Sequence, residues 1–184
     1  MTLDEFWEHI KKTRRKDPEA HAERLEARLS KRKPDDIIDF GQWWHRMSRE
    51  AYDRNLWGAA YLINGGCSDD GFEYFRDWLI LQGRDIFRAA VTNPDTLADV
   101  VDGEEVECEC FPALQAWFAA TGTAQDDAGY RAWEAAWKAK HPNRAPLPEL
   151  ADGWDFDDDA EMRKRYPRLS ALYTDREGGE DDDE

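Results

Sequence analysis

Between positions 64 and 77 the chain reads NGGCSDDGFEYFRD, a stretch dense in groups able to do chemistry. Asn64 brings an amide, Cys67 a thiol and Ser68 a hydroxyl, and Asp69, Asp70, Glu73 and Asp77 bring four carboxylates. Ser68 is a suitable N-cap, so the spacing predicts a helix over 69–82. At 100° per residue that helix collects Asp69, Asp70, Glu73, Arg76 and Asp77 into one polar arc, with Phe72, Phe75, Trp78 and Leu79 opposite. Like charges three or four positions apart destabilise a helix by roughly 0.2–0.5 kcal/mol per pair. The positive helix start offsets the first-turn acids but not Asp77. A cation is therefore expected against the arc: a side chain of this protein, an amine ligand, a divalent metal or a basic segment of a partner.

Each chemical use has a structural competitor. The basic runs KKTRRK (11–16) and RLSKRK (28–33) are long enough to neutralise the arc internally, through Arg14, Arg15 or their neighbours. The order of acids in NGGCSDDGFE lacks the alternation and the closing glutamate of a calcium loop, so no metal is expected. Cys67 at a helix start gains thiolate character from the dipole and loses it to Asp69 and Asp70. Cys67, Cys108 and Cys110 lack the paired Cys-x-x-Cys spacing of a zinc site and read as free thiols. His45, after Trp43 and Trp44, is expected at the edge of an aromatic core. No cofactor is expected.

The remaining composition narrows the classes. Lys and Arg number 25 against 41 Asp and Glu, a formal charge of −16 that opposes binding to a phosphate backbone. MTLDEFWEHI has neither the basic nor the long apolar segment of a secretory signal, and LWGAAYLI is too short to span a bilayer. A cytoplasmic protein that binds neither nucleic acid nor membrane is expected. Oligomeric state is not readable from these features. Nine Trp, eight Phe and six Tyr supply a substantial core.

The elements that must position the 64–77 stretch are helical. Thr2 and Glu5 match a capping box, followed by Leu3, Phe6, Trp7 and Ile10 at helical spacing. Asp17-Pro18 opens a second helix carrying Leu25 and Leu29, and Pro34 a third with Ile37, Phe40, Trp44, Met47 and Ala51 on one stripe and Arg46, Arg49 and Asp53 away from it. LWGAAYLI reads as a short buried helix, broken by Asn64-Gly65-Gly66. Gly83 ends or kinks the acidic helix, and RDIFRAAV resumes helical character. Further helices are predicted at 112–121, closed by Gly122, and at 127–140, where Tyr130, Trp133 and Trp137 form a buried stripe and Lys138, Lys140 and His141 favour the negative helix end. VECECF (106–111) alternates like a strand without an evident partner, so the 104–111 region is expected to be irregular or briefly extended. The fold class is mainly α, one compact multi-helix domain over 1–173, with an acidic disordered tail at 174–184.

Trp57, Gly58, Ala59, Gly65, Gly66, Ser68, Asp69, Asp70, Gly71, Phe72, Phe75 and Trp78, with the early FWEHI, form a pattern that closely resembles a bacterial family, domain of unknown function 4240. The resemblance extends over about 3–140. It implies membership and no reaction, and the acidic tail has no counterpart in its pattern. The residues themselves leave three classes of function open. The first is an interaction or regulatory module that offers the Asp69–Asp77 arc to a cationic protein or peptide. The second is a small hydrolase or amine/peptide modifier with Asp70 or Glu73 as acid/base near Cys67 or Ser68. The third is a structural junction whose acids are consumed internally.

Overall fold

Capping residues set the helix starts. The computed structural model describes residues 1–143, 145–150 and 153–173. Thr2 and Glu5 close their capping box at 3.2 and 2.7 Å and launch α1 (Leu3–Thr13). Asp17 caps α2 (Pro18–Leu29), Pro34 opens α3 (Pro34–Glu50), and Asp53 caps α4 (Arg54–Ile63). Ser68 accepts the Gly71 N–H at 3.1 Å and starts α5 (Asp69–Leu81). Gly83, at φ +94°, turns the chain into α6 (Arg84–Thr92), followed by a 3-10 helix (Pro94–Asp99). Then come α7 (Pro112–Thr121), closed by left-handed Gly122, α8 (Asp127–Lys140), α9 (Asp159–Arg165) and α10 (Pro167–Tyr173). The protein is mainly α, and no strand occurs among the described residues. The tail expected at 174–184 lies outside them.

The core is continuous from Phe6, Leu25, Leu29 and Phe40 to Leu56, Ile63, Phe72 and Phe75. α5 runs through its middle, touching α2, α3, α4 and α6, and from Phe75 to Leu81 every residue is buried. The irregular 102–111 segment, bent at Gly103, passes beside it. Asn64 holds that segment from both sides, its Nδ2 donating to Val106 O at 3.2 Å and its Oδ1 accepting from Val106 N at 2.9 Å. Cys108 N donates to Tyr74 O at 3.2 Å. These bonds satisfy part of a backbone that has no sheet partner.

The expected stripe on α8 is corrected. Tyr130 is 44% exposed and Trp133 and Trp137 are only half-buried, because α8 is covered on one side alone, by α3 and α7. Trp137 reaches α3 over Gly41, where an added Cβ would stand 2.5 Å from its Cζ3. The basic end of α8 is pinned by Lys140, whose Nζ meets Asp39 at 2.8 Å and Asp35 O at 2.6 Å. The C-terminal stretch returns to α4. Gly58 leaves room for Trp154 and Tyr166, each of which would lie 2.6 Å from an added Cβ, and the Tyr166 hydroxyl donates to Asn55 O at 2.6 Å.

Candidate functional site

The 64–68 turn is built as structure before it is available for chemistry. Gly65 and Gly66 take φ +62° and +133°, where side chains are disfavoured, and Gly66 N donates to Tyr61 O. The Trp57 indole donates to Cys67 O at 2.9 Å and stacks on Phe72 with centroids 4.8 Å apart. Asn64, expected as a ligand group, is spent on Val106. Burial pushes the Cys67 thiol up to about 11, against the lowering effect of Trp57, so the thiolate envisaged at this helix start does not form near neutral pH.

The acidic arc divides. Asp69, Asp70 and Glu73 are exposed, and among the described residues none of them forms an ion pair. The basic runs are engaged elsewhere. Arg14 donates to Gln82 O, Arg28 to His9 Nδ1, Lys12 pairs with Glu8 and Arg32 with Asp36. Internal neutralisation by Arg14 or Arg15 is therefore not how this surface is balanced. Negative charge is instead reinforced by the neighbouring 106–111 segment. Glu109, Asp70, Glu73 and Glu107 all act to raise the Tyr74 hydroxyl above its ordinary value, Glu109 most of all.

Asp77 and Arg76, placed by the helical wheel on the open arc, are buried. Their exposures are 4% and 3%. The wheel assumes one covered face, whereas α5 is enclosed on two, by the core and by α3 with the 106–111 segment. Arg76 bridges to α3, donating to Ser48 Oγ at 2.6 Å and Ser48 O at 3.0 Å, and sits 5.0 Å from the Tyr52 and Phe72 ring centres. Asp77 Oδ1 accepts the Trp44 indole N–H at 2.8 Å. Burial outweighs that bond and pushes the carboxyl up to about 8, so Asp77 holds its proton at neutral pH.

Asp77 lies at a groove of about 640 Å³. α3 contributes Trp44 and His45 to it, α5 contributes Glu73 and Asp77, and the start of α7 contributes Cys110 and Phe111 from just before the helix. α8 supplies the opposite wall with Tyr130, Trp133, Glu134, Trp137 and Lys138. Trp133 and Trp137 lie 5.5 Å apart, centre to centre, inclined at 51°. Phe111 and Tyr130, two of the largest exposed apolar side chains, stand at 47% and 44% exposure here. Cys110 is a free thiol, raised above its ordinary value by hydrogen bonding with the Cys108 thiol and by burial. Among the described residues no three His, Cys, Asp or Glu side chains are gathered as metal ligands.

Glu73 and Asp77 are legible in the sequence as site residues, but the groove they share is not. Two signals pointed to it: a charged pair, Arg76-Asp77, inside the apolar run YFRDWLIL, and an indole on the core stripe of α3 that needed an acceptor.

The family model for "Protein of unknown function (DUF4240)" matches residues 1–122. The chain belongs to that family. No curated protein and no solved structure matches it. The DUF4240 region spans α1 to α7 and stops short of the 140 expected from the resemblance. It holds Trp44, Glu73, Asp77 and Phe111, while α8 and its tryptophans lie beyond it. The groove thus joins a family wall to a wall outside the family match. No described helix is long and apolar enough to cross a membrane.

Proposed function

We propose that this protein is an interaction module whose groove between α3, α5, α7 and α8 receives a positively charged segment of a partner protein. The observation that carries this reading is the pairing, in one open groove, of exposed aromatic side chains with the carboxylates of Glu73 and Glu134, neither of which has an ion-pair partner among the described residues. Exposed aromatic clusters rimmed by charge mark binding surfaces. The overall charge of −16 favours a basic partner and speeds encounter at low salt. Asp69 and Asp70, at the exposed start of the same helix, extend the negative field and steer rather than clasp.

The test is site-specific photo-crosslinking in cells from a probe replacing Tyr130, with a probe at exposed Arg88 on α6 as control. The expected outcome is a partner captured from position 130 and not from 88, through a basic segment identified by mass spectrometry, with a lower yield in the Glu73→Gln/Glu134→Gln variant. Capture through acidic or neutral segments, or equal capture from both positions, overturns the reading.

One observation favours a second, catalytic reading. Asp77 lines the groove and burial pushes its carboxyl up to about 8, which suits it to general acid/base work near neutral pH. That would move the acid/base role from Asp70 or Glu73 to Asp77, and the Cys67 thiol would take no part. A partner that is chemically altered after incubation with the wild type and unaltered with Asp77→Asn would select this reading.

A further inference from the structure

The groove holds few free acceptors for the cation it is proposed to receive. A primary ammonium carries three N–H donors and is strongly hydrated, so it binds well only where acceptors replace its water. The deepest carboxyl, Asp77, already accepts the Trp44 indole and is kept neutral by its surroundings. Glu73 and Glu134 are exposed, where ion pairs contribute little. What the groove does offer is aromatic surface: Trp133 and Trp137 side by side on one wall, Trp44 on the other, Phe111 and Tyr130 at the mouth. Aromatic faces attract a cation within about 6 Å without needing its hydrogens, and tryptophan does so best. An ammonium whose hydrogens are replaced by methyl groups fits such walls. It has no donors to satisfy, is less hydrated, and keeps the charge that Glu73 and Glu134 attract at longer range.

From this we infer that the groove selects a methylated ammonium group, carried as a trimethylated lysine side chain on the partner protein. The inference rests on the docking reading above and narrows it to one ligand chemistry. A protein source is favoured over a free amine because Asp69, Asp70, Glu107 and Glu109 continue the negative surface beyond the groove, which a basic chain flanking the modified lysine can follow.

The experiment is calorimetric titration of the full chain with one short basic peptide in three forms: with lysine, with trimethyl-lysine, and with the uncharged tert-butyl analogue of trimethyl-lysine. Trimethyl-lysine is expected to bind about tenfold more tightly than either of the others. Trp133→Leu, which keeps apolar bulk at a half-exposed site, is expected to reduce that preference to less than about twofold while the melting temperature stays near that of the wild type. Lysine binding as tightly as trimethyl-lysine overturns the inference and leaves the docking reading standing. So does the tert-butyl form binding equally, which would make the groove merely apolar. If no peptide binds while position 130 still crosslinks to a basic segment, the inference alone fails. If crosslinking fails as well, both do. Choline or phosphatidylcholine vesicles binding more tightly than the trimethylated peptide would overturn the protein source. A preference unchanged in both Trp133→Leu and Trp137→Leu would place recognition elsewhere and overturn the inference too.

Discussion

Asp77 shows how one side chain changes role with its surroundings. On a helical wheel it is one of five polar residues on an arc, but in the fold it is a protonated acid beneath Trp44. Its folded value, about 8, lies above the ordinary 3.8. Between those two values the unfolded chain has released the proton and the folded chain has not, so stability falls as pH rises through that window and levels off above about 8. Asp77→Asn keeps an acceptor for the Trp44 indole and has no proton to retain. The variant is expected to melt at the same temperature as the wild type near pH 4. At pH 7.5 it should be more stable by several kcal/mol, up to about 5 if the whole shift is expressed, which thermal melts across that pH range would measure. A variant less stable than the wild type at pH 7.5 would mean that Asp77 is ionised and paired. The pattern of this residue was legible only in part. The sequence places an acid next to Arg76 within an apolar run, but only the docking of α3 and the 106–111 segment, both distant in the chain, decides that it is enclosed.

At the scale of elements, local signals carried far. The Thr2, Asp17 and Ser68 caps sit where a short polar side chain precedes an apolar-periodic run. Asp53, expected on the polar side of the third helix, instead caps α4, because α3 already ends at Glu50. Gly122 ends α7 as its left-handed φ of +68° requires. What periodicity could not supply is which helix is covered on two sides and which on one, since that depends on neighbours. α5 is covered twice and hides Asp77, whereas α8 is covered once and exposes its tryptophans. The same limit applies to the C-terminal helices, whose attachment depends on contacts remote in the chain, among them Arg54 with Trp154 O, Tyr166 with Asn55 O and Tyr173 with Glu104 O. Asp95, buried in the 3-10 helix, accepts Arg168 N and Leu169 N at 3.0 Å and so caps α10 from across the fold. Asp95→Ala is expected to cost about 1–3 kcal/mol, because two amides lose their acceptor, with Asp95→Asn recovering part of it in chemical denaturation. Gly58→Ala puts a methyl 2.6 Å from Trp154 and Tyr166. Overpacking there is expected to cost about 1–3 kcal/mol and to open the chain between α8 and α9 to limited proteolysis before α1–α7 is cut. Cleavage unchanged from wild type would show that Trp154 moves aside freely.

At the scale of the whole molecule the excess of 41 acids over 25 bases opposes compaction, and most of the ion pairs that could offset it are exposed. Salt screens the long-range repulsion more than it weakens such pairs, since the Debye length falls from about 30 Å at 0.01 M to about 10 Å at 0.1 M. The melting temperature is therefore expected to rise by a few degrees between roughly 10 and 300 mM salt, equally with sodium and potassium chloride. Deleting residues 174–184 removes seven acids and one arginine, and should flatten that rise if net charge is its cause. A temperature that falls with salt would mean that local pairs, such as Lys140 with Asp39, outweigh the global field. The field that opposes compaction is the one that would steer the basic partner proposed above, so the two measurements should move oppositely. Over the salt range in which the protein grows more stable, association with a trimethyl-lysine peptide is expected to slow, while its dissociation, governed by aromatic contact, changes little. A dissociation rate that climbs with salt as steeply as association drops would assign the hold itself to Glu73 and Glu134 rather than to the tryptophans.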